Sequence, residues 1–307
     1  MPTLSVVIPA TDEPATLPRV IAAIRRAEAP PEELIVVDRP IGSGPAAARN
    51  AGAHRASGDV LVFVDADVEV HGDVFVRMRA AFDHTATLAG IFGSYDADPG
   101  ADGVVSAFRN LLHHHVHHEG AGPATTFWAG LGAIRRETFF AVGGFDEERY
   151  PVPSVEDIEL GMRIHARGEK VVLDPTIQGT HLKPWTFSKM TSTDLFQRGV
   201  PWLRLLLEEK STSRPLNLGR RHIIASAASL ILLAAALRRK PRAAASMLAL
   251  LIVLDRRFYL LLLRRRGPVV AATGVLLHIA HRLTSAAAVP LAVTHHLRER
   301  LEREGRS

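Results

Sequence analysis

An α/β fold with a mostly parallel sheet, followed by a basic helical region, is what the sequence predicts, on three observations. Short runs rich in Val, Ile and Leu alternate with helix-like stretches from the first residues onward. Carboxylates stand at the carboxyl ends of two of those runs. Charge divides sharply along the chain: residues 1–209 carry 19 Lys/Arg and 28 Asp/Glu, whereas residues 210–307 carry 18 and 4. We therefore expect two domains, 1–209 and 210–307.

Taken in order, MPTLSVVIPA lacks the basic start and small-residue cleavage site of a secretory leader and reads as a buried strand over 4–9. Further strands are expected at 33–38 and 59–65, with helices at about 14–28 and 45–56 between them. Next come a helix at 71–83, a strand at 88–94, a helix at 103–118, a strand at 125–133 and a turn at Val142-Gly143-Gly144-Phe145-Asp146. VEDIELGMRIHARG reads as a helix of about three turns closed by Gly168, followed by a strand at 170–174, Asp174-Pro175, and a second strand ending at His181. A helical stretch from 186 to 209 is expected to break near Gly199 and Pro201.

The tail alternates apolar runs with arginine clusters at 220–221, 238–242, 256–257 and 264–266. Ile223–Leu237 is 15 residues, about 22 Å of helix against a hydrocarbon core of about 30 Å. Ala243–Leu263 is long enough but carries Asp255, Arg256 and Arg257, and Pro268–Val293 carries His278, His281 and Arg282. Helices lying in the interface would keep every basic cluster on one face of an anionic membrane. A soluble helical domain with snorkelling arginines is the alternative.

Composition narrows the chemistry. With 47% hydrophobic and 22% charged residues the chain is neither disordered nor a small stapled scaffold. It has no cysteine, so a metal can be held only by Asp, Glu or His. Asp38 ends one strand, and Asp65-Ala66-Asp67 ends another. Ligands in such sheets bind beyond the carboxyl ends of the strands. Two carboxylates at i and i+2 there suit Mg²⁺ or Mn²⁺ bridging a diphosphate, although an Asp-x-Asp pair alone also suits a solvated turn. Glu156-Asp157 begins a helix, where an acid is commonly a cap; a second acid in the same mouth also suits a general base. The run His113–His118, broken by Val116, is read as an acceptor-contact or surface feature rather than a metal site, because consecutive helical residues face different directions.

Together these pieces resemble the family 2 glycosyltransferases of GT-A fold over roughly residues 3–209. The resemblance rests on LSVVIPATDEPATLPRVIAAI, ELIVVD, GPAAARNAGAHRASGDVLVFVDAD, FWAGLGAIRRETFFAVGGFDE, VEDIELGMRIHARGEKVVLDP and THLKPW, in that order. It implies that Asp38 contacts the nucleoside base, that Asp65 meets the nucleoside sugar region and the metal, and that Asp67 and His181 bind the metal. It also implies that Asp157 is the catalytic base with Glu156 beside it, and that Pro9, Glu13 and Arg49 belong to the donor site. A strand-end structural role is the other reading of His181.

Two departures from the family pattern stand out. Asp38-Arg39-Pro40-Ile41-Gly42-Ser43 replaces the usual Asp-Asp-Gly-Ser run. Gln197-Arg198-Gly199-Val200-Pro201-Trp202 replaces the Gln-x-x-Arg-Trp of processive synthases, which weighs against a processive polymerase. Arg198 is still assigned to the diphosphate and Trp202 to a sugar. Trp128 and Gly130 suit an acceptor sugar, with a core Trp as the alternative.

The expected protein is a membrane-attached, cytoplasm-facing, metal-dependent inverting glycosyltransferase. Its donor is a UDP-, GDP- or dTDP-sugar and its acceptor a lipid-linked or cell-envelope glycan. A catalytically silent sugar-nucleotide-binding scaffold is a second reading, opposed by the intact Asp65, Asp67 and Asp157. A nucleotidyltransferase is a third, opposed by Ala10-Thr11-Asp12-Glu13-Pro14 where a glycine-rich phosphate loop would stand. Nucleic acid is not an expected partner, because the tail arginines flank aliphatic runs rather than stacking aromatics.

Overall fold

Val60–Val64 is buried at every position, as a strand covered on both faces must be, and it lies in the middle of the sheet. The computed structural model describes residues 1–209 and 219–304. In chain order the first elements are β1 (Leu4–Pro9), α1 (Leu17–Arg26), β2 (Glu33–Val37), α2 (Gly44–Arg55), β3 (Val60–Val64), β4 (Val68–Val70), α3 (Val74–His84), β5 (Leu88–Tyr95) and α4 (Val104–Glu119). They are followed by β6 (Gly122–Ala124), β7 (Leu131–Arg135), α5 (Arg136–Ala141), α6 (Glu156–Ala166) and β8 (Lys170–His181).

The eight strands form one sheet in the order β2-β1-β3-β7-β5-β8-β4, with β6 also on β8. β1 pairs in parallel with β2 and β3, and β5 with β8; β7, β4 and β6 run against their neighbours. Five strands thus share a direction and deliver their carboxyl ends to one edge. The core beneath this edge joins Ile8, Val62, Val64, Phe75, Met78 and Leu131.

Three expectations need correction. The apolar stretch 125–133 is not one strand: Gly122–Ala124 and Leu131–Arg135 are separate strands on different partners, and residues 125–130 form a loop between them. The segment around Asp174-Pro175 does not divide two strands. β8 runs through it where its register against β5 slips from Phe92↔Leu173 to Ser94↔Gln178, so Pro175 occupies the irregularity that tolerates a missing N–H. Nor does the helix break near Gly199 and Pro201: α7 (Phe187–Ser192) continues through a π-helical segment, Thr193–Gly199, into α8 (Val200–Glu209). The Val200 N–H reaches back five residues to Leu195, and this wider turn carries the chain past Gly199.

Two compact units emerge, Met1–Ala101 with His113–Lys183, and Asp102–Leu112 with Pro184–Ser307. Position 210, where the boundary between the two domains is expected, lies outside the described residues. The second unit contains α9 (Arg220–Leu237), α10 (Pro241–Leu254) and α11 (Arg256–Glu304), the last kinked at Gly267, whose φ of 82° suits glycine. Asp255 separates α10 from α11, so 243–263 is not one continuous helix.

Among the described residues α9 and the Arg256–Arg298 stretch of α11 are long and apolar enough to cross a membrane. Ile223, Ile224, Leu230, Ile231, Leu233 and Leu237 of α9 are exposed. The charges inside this unit are paired, as burial demands: Asp255 with Arg282 at 2.6 Å and Arg221 at 3.5 Å, and Asp194 with Arg109 at 2.9 Å and His281 at 2.7 Å.

Candidate active site

β3 carries Asp65 and Asp67 out of the core at its carboxyl end, and backbone from other elements pins both. The Asp65 N–H donates to the Gly130 carbonyl at 3.0 Å, and the Asp67 carbonyl accepts the Leu182 N–H at 2.8 Å. Between them, the Ala66 carbonyl accepts the Thr16 hydroxyl at 2.6 Å. β4 begins immediately afterwards, with Val68 in register opposite His181, the last residue of β8. As a result Asp67 Oδ2 faces His181 Nε2 and Lys183 Nζ, each at 3.8 Å. Burial opposes ionisation of Asp67, but His181 and Lys183 outweigh it and hold the carboxyl below its ordinary value.

His181 and Lys183 stand two residues apart, on the same side of an extended chain. The His181 ring stacks on Tyr95, with centroids 4.3 Å apart and planes within 13°. Asp67 and His181 fit a hard divalent cation in donor type. Their 3.8 Å separation exceeds a hydrogen bond and lies within the distance that two ligands, each about 2 Å from one ion, can span. Among the described residues no three His, Asp or Glu side chains form a closed metal cage. A cation that keeps waters and takes substrate phosphates as ligands needs no such cage.

Arg49, on α2, joins this mouth to α6. It is almost fully buried, with 5% of its side chain exposed, and donates from Nη2 to Asp65 Oδ1 at 2.7 Å and from Nη1 to Glu156 Oε1 at 2.9 Å. Its guanidinium, expected at the donor, bridges two carboxylates 91 residues apart in sequence, one of them Asp65. No periodicity in the chain announces that pairing. Asp157, next along α6, accepts the Ala129 N–H at 3.1 Å and its neighbour Ile158 N–H at 2.8 Å. Burial, and then the negative Glu156 beside it, push the Asp157 carboxyl up to about 7 against the opposing pull of Arg49.

Trp128 precedes the loop residues that touch both acids. Tyr95 meets its indole edge-on at 5.0 Å, and His113 and His117 lie at 4.4 and 5.3 Å. The histidine run therefore splits by face, as its helical spacing requires. His113 and His117 turn toward Trp128, while His114 pairs with His118 at 3.8 Å and His115 lies 3.5 Å from Glu119. Lys183 and Tyr95 are contributors that the motif reading missed; the lysine was visible two positions after His181 in THLKPW, and Tyr95 had no comparable mark.

Of the remaining candidates, Pro9 closes β1 and Asp38 follows β2, exposed. Glu13 is exposed, 4.0 Å from Arg39. Arg198 and Trp202 lie in the second unit, on the π-helical segment and α8, with Arg198 exposed and Trp202 partly so. A cavity of about 750 Å³, lined by Arg39, Ser43, Asn50, His54, Asp146 and Arg163 among others, opens beside α2; Asp65, Asp67 and Asp157 do not line it.

Residues 38–140 match the sequence profile of glycosyl transferase family 2. Among solved structures the chain is similar to the mannosyltransferase PcManGT from Pyrobaculum calidifontis in complex with GDP-Man and Mn²⁺, with 14% identity, 96% of this chain and 87% of that chain covered, and a TM-score of 0.54. It is also similar to TarS from S. aureus, with 14% identity, 93% and 90% covered, and a TM-score of 0.46. The first likeness supports a shared fold. No curated protein matches the chain.

Proposed function

We propose that this chain, a family 2 glycosyltransferase by the profile match of residues 38–140, transfers a sugar with inversion from a nucleotide-sugar donor, with Asp157 as general base. The observation that carries the reading is the Arg49 bridge. It joins the Asp-x-Asp end of β3 to the helix bearing Asp157, so the acid that accepts a proton and the acids that face the donor belong to one electrostatic unit. In this reading Asp38 contacts the nucleoside base and Asp65 its ribose. Asp67 and His181 would hold Mg²⁺ or Mn²⁺, a Lewis acid that would supply charge neutralisation to a departing diphosphate.

The acceptor oxygen attacks the anomeric carbon as the bond from that carbon to the diphosphate oxygen breaks. Asp157 takes the acceptor proton, and the nucleoside diphosphate leaves with the bonding pair. A base poised near neutrality combines a usable ionised fraction with real proton affinity. Trp128 offers its indole to an acceptor sugar. The catalytic domain is proposed to occupy 1–209.

With the Asp157 carboxyl at about 7, its ionised fraction rises with pH through that value. We expect kcat/KM to climb with a single acid limb near pH 7 and to level above it; a flat profile between about pH 5 and 9 contradicts the base role.

The acceptor is proposed to be lipid-linked or part of a cell-envelope glycan, met at the cytoplasmic membrane surface. The support is the exposed apolar face of α9 next to the exposed cluster Arg238, Arg239, Lys240 and Arg242. Each such charge near an anionic surface strengthens binding by roughly fivefold. Exchanging all four for Gln is expected to cut partition onto phosphatidylserine vesicles by about 10² or more while leaving phosphatidylcholine vesicles unaffected. Equal loss on both, or none on either, contradicts the proposal.

A further inference from the structure

The loop 126–130 touches both halves of the acidic cluster, and glycines let it do so. Its Ala129 N–H reaches Asp157, and its Gly130 carbonyl receives the Asp65 N–H. α6 meets the loop through Gly161, one helical turn after Asp157 and on the same face. A Cβ at Gly161 would lie 2.2 Å from the Phe127 nitrogen and 2.3 Å from the Thr126 carbonyl carbon, both backbone atoms.

The loop has no room to retreat on its other side. A Cβ at Gly132 would lie 2.4 Å from the Phe127 ring and 2.5 Å from the Trp128 carbonyl oxygen, and one at Gly130 would lie 2.4 Å from the Trp128 indole. Phe127 is fully buried and packs edge-on against Phe92 at 5.8 Å.

We propose that Gly161 is a positioning residue for the general base: the absence of a side chain there seats α6 directly on the backbone of Thr126 and Phe127, and this brings Asp157 within reach of the Ala129 N–H. The inference rests on the reading of Asp157 as the base. The charged groups facing Asp157 are Glu156 on its own helix and Arg49 from α2, and its amide donors are Ala129 and Ile158. Ala129 is the one donor that the loop provides. Alanine is a better helix former than glycine, so Gly161→Ala favours α6 as an isolated helix, and any loss must come from the close approach.

The test compares Gly161→Ala with the wild-type chain in three measurements: kcat, donor affinity by calorimetry, and the pH profile of kcat/KM. We expect kcat to fall about 10²-fold, as misplacing a reacting group by about 1 Å does. Donor affinity is expected to stay unchanged. The acid limb should move to higher pH, because Asp157 loses a donor that favours its ionised form. Gly130→Ala presses on the Trp128 side chain rather than on the backbone that meets α6, and should shift the acid limb less. If Gly161→Ala does not fold by circular dichroism, Thr126→Gly, which loosens the loop side of the same contact, carries the test with the same readouts. An unmoved acid limb, or loss of donor affinity in step with kcat, overturns the proposal. A wild-type chain with no acid limb, or an active Asp157→Asn, instead overturns the base reading on which it rests.

Discussion

Asp157→Asn is expected to lower kcat by about 10³-fold or more and to leave donor affinity nearly unchanged. A positioned general base contributes about 10²–10⁴-fold, and asparagine keeps the size of the side chain and the acceptor for the Ala129 N–H while losing the proton affinity. The substitution should also raise thermal stability at alkaline pH. The folded-state carboxyl titrates near 7, above its value in an unfolded chain. Its contribution to stability is therefore full below the unfolded value, near pH 4, and is lost as pH rises through 7. Asparagine does not ionise, so the variant should melt later than the wild type at about pH 8, and the difference should shrink toward pH 4. Loss of transfer together with donor binding, or a lower melting temperature at about pH 8, removes Asp157 from the role assigned to it.

Arg49→Met is expected to have the largest effect on stability, about 3–5 kcal/mol. The side chains of Arg49 and Glu156 are 5% and 6% exposed, so screening by water is slight for that pair, while Asp65, at 31%, contributes less. Methionine fills the volume but leaves the buried Glu156 carboxylate without its cation. Arg49 also holds the Asp157 carboxyl down, so its removal raises that group further and the destabilisation grows as pH rises. Arg49→Lys keeps the charge but lacks the fork that reaches two carboxylates at once, and should fall between the two. Because the chain has two compact units, the loss should appear in the transition that reports the sheet, for instance through near-ultraviolet signals of Trp128. A melting profile unchanged in Arg49→Met contradicts the bridge.

Legibility in the sequence followed burial and separation. β1, β2 and β3 were plain because each is a short run rich in Val, Ile and Leu, and the acids after β2 and β3 were plain because both stand at the carboxyl ends of such runs, where ligands bind. β4 has three residues and was invisible at that length. Residues 125–133 misled because Phe127, Trp128 and Leu131 are apolar for different reasons: Phe127 and Leu131 fill the core, whereas Trp128 sits on Gly130 in a loop. Pro175 looked like a strand end because the slip in register that accommodates it depends on β5, far away in sequence.

In the candidate site the acids and His181 carried local signatures. The Arg49 bridge and the close approach of Gly161 to Thr126 and Phe127 depend on how α2, α6 and the loop meet in space, and no spacing along the chain records that. Asp255, which looked like a flaw in an apolar run, ends α10 and is neutralised by Arg221 and Arg282 from other helices.

The most direct test of metal-dependent donor use at this mouth is calorimetric titration of the full chain with UDP-, GDP- and dTDP-sugars, in Mn²⁺ or Mg²⁺ and again in EDTA, beside Asp67→Asn. We predict that one donor binds in the presence of metal, and that EDTA or Asp67→Asn abolishes the heat. Donor binding that is equally strong in EDTA, or that survives Asp67→Asn, contradicts the assignment of Asp67 and His181, and no binding of any donor contradicts the account as a whole.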